Sequence, residues 1–478
     1  MVEESQPSRS EQQRLGTGLA ASTEGRFFRV QVTNAHSYQP GAFLGLRDPD
    51  GVTRLGQIDR TEIDADGRPV VVGRIYGMVE DGRLNSRAAS AFDAATVSPA
   101  DPGLLELMNT SAGAVLDVGR LVAAPEVAAR LMPQRFNRHT FWCGQSGSGK
   151  TYALGVLLEE LLVHTDLPMI IFDPNADFVR LSEVRDGVSP ELAEPLRRRA
   201  LRILRPRSEA GENLCVRFTA LGLTAKAAVL RLDPLIDRAE YNTLLHLEEL
   251  LSHTEISRVL PDLRASNDAD LISFALRLEN LGILDWEIWA GQESAATEII
   301  DTLPAATVLD LGGFTSHEEP LVVALSILDE LWSRRHERRP VLLVIDEAHN
   351  LCSPDTESAL EEAVLERIIQ IAAEGRKYGL WLLLSTQRPS KVHSGIISQC
   401  DNLALMRMSS QQDLDELATV FGFAPPALLG QSPLFRQGEA LFAGGFVPAP
   451  GTVTMRQRLT QEGGRDVGVP LASAASPR

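Results

Sequence analysis

The sequence predicts an α/β fold: a core built on a mostly parallel sheet, a small β-barrel or sandwich ahead of it, and an all-helical insertion within it. Three observations carry this expectation. From about Arg135 onward, apolar segments of strand length alternate with helix-like stretches, the rhythm of a parallel sheet covered by helices. Between Phe27 and about Ala100 the stretches are short and alternating, and they are punctuated by Asp-Gly pairs. Between about residues 222 and 300 the strand rhythm stops and leucines recur at helical intervals. A chain of 478 residues has room for about three domains at roughly 150 residues each.

Taken in order, residues 1–25 are rich in Ser, Gln and Glu without apolar periodicity and read as a tail, as do residues 456–478. Residues 26–120 are assigned to the barrel. Its strand signals are Phe28, Val30 and Val32, then Phe43 and Leu44, Leu55 and Ile58, and Val70 to Val72 with Ile75. The pairs Asp50-Gly51, Asp66-Gly67 and Asp81-Gly82 supply turn chemistry between antiparallel strands, because Gly tolerates positive φ. Residues 121–221 and 301–455 are assigned to the core. Its expected strands are Thr140 to Cys143, Pro168 to Asp173, Thr307 to Leu311, Val341 to Asp346, Gly379 to Ser385 and Asn402 to Met408. Residues 222–300 are the insertion, with Leu230, Leu244, Leu251, Leu263, Leu271 and Leu278 among its helical positions.

Composition excludes several classes. Apolar residues make up 44% and charged residues 23%, the proportions of a globular chain rather than a disordered or fibrous one. No apolar run approaches the roughly 18 residues that span a bilayer, and the polar N-terminus has no signal-peptide core, so a cytoplasmic protein without a membrane partner is expected. Cys143, Cys215, Cys352 and Cys400 stand singly, which predicts reduced, mostly buried thiols and neither disulfides nor a zinc site. The net charge of −18 is opposite to the usual footprint of a nucleic-acid binder. Any DNA contact then requires local positive charge. The two candidates are the arginine run Arg197 to Arg207 and the group Arg334, Arg335, Arg338 and Arg339; solvated helix faces with acidic neighbours are the alternative for both.

The strongest chemical signal is Gly144-Gln145-Ser146-Gly147-Ser148-Gly149-Lys150-Thr151, a full G-x-x-x-x-G-K-T between an apolar strand and a helical pattern that opens at Tyr152. Glycines let successive backbone N–H groups converge on phosphate oxygens, and the helix N-terminus adds its positive dipole end. Lys150 supplies a charge between β and γ phosphates, and the Thr151 hydroxyl is a candidate Mg²⁺ ligand. The cradle for ATP is thus residues 144 to 152. A second signal is the apolar strand that closes in Asp346-Glu347. Asp346 is the candidate for the Mg²⁺ shell and Glu347 for orienting and deprotonating the attacking water. A third is Gln387, an amide at the end of the strand Gly379 to Ser385, placed to contact the γ phosphate or the water. An amphipathic helix with Leu360, Val364, Ile368 and Ile369 on one face closes in Glu374-Gly-Arg376-Lys377, a place from which a cation could reach a neighbour's nucleotide as an arginine finger. The pull of a helix C-terminus on positive charge explains the same residues structurally.

With these motifs in this order, GQSGSGKT, IIFDPNADF, LLVIDEAHNL, EGRKYG and LLLSTQRPS, the chain resembles HerA-type ATPases of the HerA/FtsK superfamily of ring-forming translocases. The resemblance covers roughly residues 26–455. It implies an N-terminal β-barrel, a RecA-like P-loop core and a helical insertion, assembled as a homo-hexamer with nucleotide between subunits and double-stranded DNA in the central pore. It carries Lys150, Thr151, Asp346, Glu347 and Gln387 into the roles just derived. It points to Arg376 as the trans-acting finger, with Lys377 and Arg407 as fallbacks and Asp173 as a weaker site candidate. The chain departs from the family at Asn175-Ala176-Asp177, where members often carry His-Gly-Glu. The resemblance also implies a separately encoded effector, a nuclease or an NAD-consuming enzyme, in repair or antiphage defence.

Two rival readings fail on particulars. Asp346-Glu-Ala-His349 also spells the box of a two-lobed helicase, but only some 90 residues follow Ser385, too few for a second lobe. A transporter ATPase would carry a Leu-Ser-Gly-Gly-Gln stretch before the acidic strand, where this chain has Arg334 to Pro340. A ring that scaffolds and switches an effector without moving along DNA remains the alternative function, and the negative charge favours it.

Overall fold

The computed structural model describes residues 18–33, 38–207, 212–251 and 256–464; most of the two expected tails lies outside them. The chain forms two compact units, one drawn from the segment up to Pro168 and from Glu330–Arg458, the other from Met169–Asp329 and the chain beyond Leu459.

In the first unit, the strands β1 (Leu19–Ser22), β2 (Phe27–Gln31), β3 (Phe43–Arg47), β4 (Thr53–Ile63), β5 (Pro69–Glu80), β6 (Arg83–Asn85) and β7 (Phe92–Pro99) are paired antiparallel in the order β2-β1-β7-β3-β4-β5-β6. An additional β2–β5 pairing closes six of them into a barrel, which removes the sheet edges. Of the two expected forms, barrel or sandwich, it is the barrel. Its core is Phe28, Val30, Leu44, Leu46, Ile58, Val71 and Ile75. Gly73 is required there, since a Cβ would stand 2.5 Å from the Phe28 ring. Each Asp-Gly pair does mark a hairpin, with φ of +87° at Gly51, +77° at Gly67 and +72° at Gly82. The strand β1 lies inside the stretch expected as tail: Ala20 is fully buried in the barrel, a contribution that alternation in four residues is too short to reveal.

The same unit holds eight further strands in one sheet. Four run parallel, in the order Val341–Ile345, Leu380–Thr386, His139–Cys143 and Cys400–Met406. Glu439–Gly444, Gly451–Met455, Leu116–Leu121 and Ala124–Leu131 continue the sheet antiparallel. Register places Ile345 beside Leu384, and Cys143 between Thr386 and Leu405. The carboxyl tips of the four parallel strands therefore share one row, the edge of an open α/β sheet where ligands bind. The helix Lys150–His164 leaves this row, and its residues Ala153, Leu154, Val156, Leu157, Leu158 and Leu161 are fully buried.

Residues 456–458, expected as part of a tail, pack against the core. Arg456 donates to Glu159 at 3.0 Å and to Glu160 at 2.8 Å, and Arg458 is 1% exposed. Gly155 makes room for it, because a Cβ there would meet the Arg458 guanidinium at 2.6 Å. The basic residues of this segment find buried acids on the helix, which its composition alone does not disclose.

The second unit has the parallel strands Glu212–Asn213, Leu201–Arg205, Ala306–Asp310 and Met169–Asp173. It also carries the helices Leu223–Val229, Arg238–Leu251, Ile256–Arg264 and Ala269–Leu281, in the stretch expected to be all-helical. Met169–Asp173 and Ala306–Asp310 are strands of this unit, at the positions expected of them. Among the described residues, no helix is long and apolar enough to cross a membrane. The four cysteines are free and buried, as expected.

Candidate functional site

The loop from Gly144 to Gly149 turns between the strand His139–Cys143 and the helix that begins at Lys150. Gly147 and Gly149 have φ of +73° and +89°, a region that costs an L-residue with a Cβ. Gly144 is fixed by packing: a Cβ would lie 2.7 Å from Met406 Cβ and 2.9 Å from Ser148 Oγ. The Gly438 N–H donates to the Ser148 carbonyl at 2.9 Å, and the Gln145 N–H to that of Arg407 at 2.9 Å.

Lys150 points along the row of strand tips. Its ammonium lies 2.9 Å from Asp346 Oδ1, 3.1 Å from Glu347 Oε1 and 2.8 Å from Ser385 Oγ. The Ser385 hydroxyl donates to Asp346 Oδ1 at 2.6 Å, and the Gln387 amide donates to Glu347 Oε1 at 2.6 Å. Lys150, Asp346 and Glu347 are each 5% exposed or less. Burial works against the ammonium, but the Asp346 and Glu347 carboxylates outweigh it and hold the Lys150 pKa above its ordinary value. Two like charges side by side out of water demand such a cation.

Glu347 has φ of +45°, a left-handed conformation uncommon for a carboxylate residue and costing on the order of 1 kcal/mol or more. That turn brings Glu347 back beside Lys150, on the same side as Asp346, although adjacent residues of an extended strand face opposite ways. His349 Nδ1 lies 3.3 Å from Glu347 Oε2 and 3.1 Å from the Thr386 hydroxyl. Burial first, and the Arg388 and Lys150 charges after it, outweigh the pull of Glu347, so the His349 pKa falls below its usual value.

Three buried oxygens, Ser148 Oγ, Asp346 Oδ2 and, apart from its 3.3 Å contact with the His349 ring, Glu347 Oε2, accept no hydrogen bond among the described residues. The unpartnered carboxylate oxygens fit a divalent cation, and the Ser148 hydroxyl on the loop can donate to a phosphate oxygen. Thr151 and Asp346 are the residues that could hold the cation.

The other sequence candidates lie elsewhere. Tyr152 follows the loop, but its hydroxyl accepts from the Arg458 N–H at 2.7 Å, which ties the helix to the C-terminal segment. Asp173 accepts from the backbone N–H groups of Asp177 and Phe178 at 2.9 and 2.8 Å, stitching the turn after its strand. Arg376 and Lys377 precede the strand Leu380–Thr386, at the opposite end from Gln387. Seven extended residues put them about 20 Å from the loop of their own chain. There Arg376 donates to Asp401 at 2.8 Å, and Arg135, Arg138 and Lys377 line the same open cleft. Arg407 is on the other side of the matter: its guanidinium donates to the Gly147 carbonyl of its own loop at 3.2 Å.

Ser385, His349 and Thr386 were not singled out from the sequence. The polar run Ser385-Thr386-Gln387 was the available signal, and only the register beside Cys143 and Ile345 shows which of its members face Lys150. Both arginine groups are largely paired with acids. Arg202 lies on a strand rather than a helix and pairs with Glu212, Arg207 pairs with Glu287, and Arg198 lies 3.0 Å from Glu194. Arg334 and Arg339 reach Glu337 at 2.9 and 2.8 Å.

A phosphate loop facing a strand-end carboxylate pair across parallel strands defines a P-loop ATP hydrolase with a RecA-like sheet. Within that class, residues 116–330 match the family described as Helicase HerA, central domain, so the resemblance carried by the motifs is borne out. The DNA double-strand break repair helicase HerA of Pyrococcus furiosus is 21% identical over 84% of this chain and 81% of its own length. The probable helicase MJ1565 of Methanocaldococcus jannaschii is 23% identical over 89% and 83%. Among solved structures, VirB4 of Thermoanaerobacter pseudethanolicus aligns with a TM-score of 0.47 at 14% identity, over 72% of this chain and 97% of that one. The plasmid coupling protein TrwB, in complex with the GTP analogue GDPNP, aligns at 0.48 and 16%, over 76% and 94%.

Proposed function

We propose that the protein is a ring-forming, homo-hexameric ATPase that couples hydrolysis of Mg-ATP to translocation or remodelling of double-stranded DNA held in its central pore. It acts in the cytoplasm with a separately encoded effector, a nuclease or an NAD-consuming enzyme, in DNA repair or antiphage defence. The observation that carries the catalytic part is the contact of Lys150 with Asp346, Glu347 and Ser385 at the mouth of the glycine loop. The relatives named as DNA repair helicases support the DNA part.

The residues divide the work as follows. Backbone N–H groups of Gly147 to Thr151 cradle the phosphates, and Lys150 exchanges its carboxylate partners for β and γ oxygens. Thr151 and Asp346 would hold Mg²⁺, which when bound would supply neutralisation of the phosphate charge. Once Lys150 turns to phosphate, Glu347 is free to take a proton from the attacking water, and Gln387, hydrogen-bonded to it, orients the carboxylate. Arg376 supplies the finger to the neighbouring subunit.

A second reading, an ATPase scaffold that assembles and regulates the effector without processive movement, draws on the net charge of −18 and on the acid-paired arginines. Turnover of the full-length protein with and without linear duplex DNA separates the two. Several-fold stimulation by DNA is expected of the translocase, and turnover indifferent to DNA at low salt supports the scaffold. Lys150→Ala should lose nucleotide affinity and turnover together; wild-type turnover in that variant overturns the site.

A further inference from the structure

We propose that Arg407 binds nucleotide phosphate within its own subunit, as a working part of the phosphate loop rather than a cation offered to a neighbour. The proposal rests on the nucleotide reading of the loop given above and assigns it a residue that the G-x-x-x-x-G-K-T pattern does not contain.

Arg407 follows directly on the strand Cys400–Met406, which lies beside the loop strand in a register that pairs Cys143 with Leu405. Two residues beyond that pair, it is level with the start of the loop. The fit is fixed from both partners. The Gln145 N–H donates to the Arg407 carbonyl at 2.9 Å, and the Gln145 side chain accepts from the Ser409 N–H at 3.0 Å. Behind them the Met408 N–H donates to the buried Ser432 hydroxyl at 2.9 Å. The backbone of residues 407–409 is thus locked to the loop and cannot swing outward without breaking these bonds.

The guanidinium, by contrast, is poorly served. Its one hydrogen bond is the 3.2 Å contact with the Gly147 carbonyl, and its Nε is shielded from solvent without a partner. Among the described residues no carboxylate stands within ion-pair distance of it, whereas Arg376 has Asp401 and Lys377 has Glu374. A planar fork of five donors with one marginal neutral acceptor is mismatched to its surroundings. Phosphate oxygens are the acceptors such a fork takes two at a time. Among the described residues, the phosphate-binding structure beside it is its own loop, where the Ser148 hydroxyl is without a hydrogen-bond partner as well.

The test uses the full-length protein and a fluorescent ATP analogue with Mg²⁺ in equilibrium titrations. Arg407→Gln should bind about tenfold more weakly than wild type, a loss typical of a charge-assisted contact, and Arg407→Lys should recover part of it. Melting without nucleotide should be unchanged in a folded variant. With ATP held below saturation, adding Lys150→Ala subunits should not raise the turnover of Arg407→Gln, because no subunit then carries both residues. Wild-type affinity in folded Arg407→Gln overturns the proposal, and so does turnover restored by mixing. If Arg407→Gln melts early, Arg407→Lys decides: weakened binding supports the role and wild-type binding overturns it. Loss of binding in Lys150→Ala alone would leave the loop reading intact and remove only Arg407, whereas binding retained in Lys150→Ala would remove the loop reading itself.

Discussion

At the scale of single residues, the site is a contest for one ammonium. Lys150 satisfies Asp346 and Glu347 at 2.9 and 3.1 Å, so a ligand that draws it away leaves both acids without their cation, the state in which the proposed roles toward a metal and a water would begin. Asp346 has a hydroxyl donor from Ser385 as well, while Glu347 retains the Gln387 amide. Glu347→Gln is therefore expected to bind Mg-ATP normally, since it keeps the shape and the left-handed turn, yet to lose turnover by roughly 10²-fold or more, the contribution of a positioned general base. Nucleotide binding and single-turnover hydrolysis measured side by side check this; hydrolysis at the wild-type rate would move the base elsewhere. Lys150, Asp346, Glu347 and Gln387 were legible in the sequence because each stands in a local pattern, a loop or a strand tip. Ser385 and His349 were not, and Arg407 was singled out only as a cation for a neighbour, because their partners arrive through strand register, across 235 residues for Lys150 and Ser385.

At the scale of elements, one buried histidine ties the phosphate-loop strand to its neighbours. His139 Nδ1 accepts from the Leu382 N–H at 2.9 Å, which leaves Nε2 to donate to the Ala372 carbonyl at 3.0 Å. Strand, adjacent strand and the end of the helix Ala359–Glu374 meet in one neutral imidazole. Burial, and the Arg376 charge after it, push its pKa down to about 4. The folded state thus refuses a proton that the unfolded chain takes up near 6.5, so the contribution of His139 is whole above 6.5 and is lost as pH falls toward 4. The shift corresponds to about 3 kcal/mol. Denaturation midpoints of wild type and His139→Gln should converge on acidification through that window; a constant gap would deny the neutral role. The six parallel strands expected from the sequence lie within two residues of their observed limits, because buried parallel strands are continuous apolar runs. The antiparallel strands Leu116–Leu121, Ala124–Leu131, Glu439–Gly444 and Gly451–Met455 gave no such signal. Ala124–Leu131 reads Ala-Pro-Glu-Val-Ala-Ala-Arg-Leu, residues that mostly favour helices, and only pairing with Leu116–Leu121 makes it a strand. Arg-rich Leu201–Arg205 was obscured in the same way.

At the scale of the whole molecule, the position of Arg376 decides how many chains make a working site. The parallel strand Leu380–Thr386 has Gln387 and the glycine loop at one end and Arg376 at the other, so Arg376 cannot serve the nucleotide of its own chain. In the proposed ring, that separation would be useful: each subunit would show its loop to one neighbour and its finger to the other, a heterologous contact that closes on itself. A finger supplied in this way is worth roughly 10³ to 10⁵ in rate. Arg376→Ala should accordingly lose turnover with little loss of ATP binding, although the lost Asp401 contact removes an ion pair that is one-third to one-half exposed and worth little to stability. Mixing Arg376→Ala with Lys150→Ala subunits should restore activity, because an intact loop then faces an intact finger at roughly a quarter of the interfaces of a randomly mixed ring. Labelled subunits establish that exchange has occurred. With exchange established, no recovery at any mixing ratio would assign Arg376 to structure within its own subunit, where it already has Asp401 as a partner. If Arg376→Ala alone keeps its turnover and Lys377→Ala behaves in its place, the finger is Lys377, whose ammonium lies 2.9 Å from Glu374 on the same cleft.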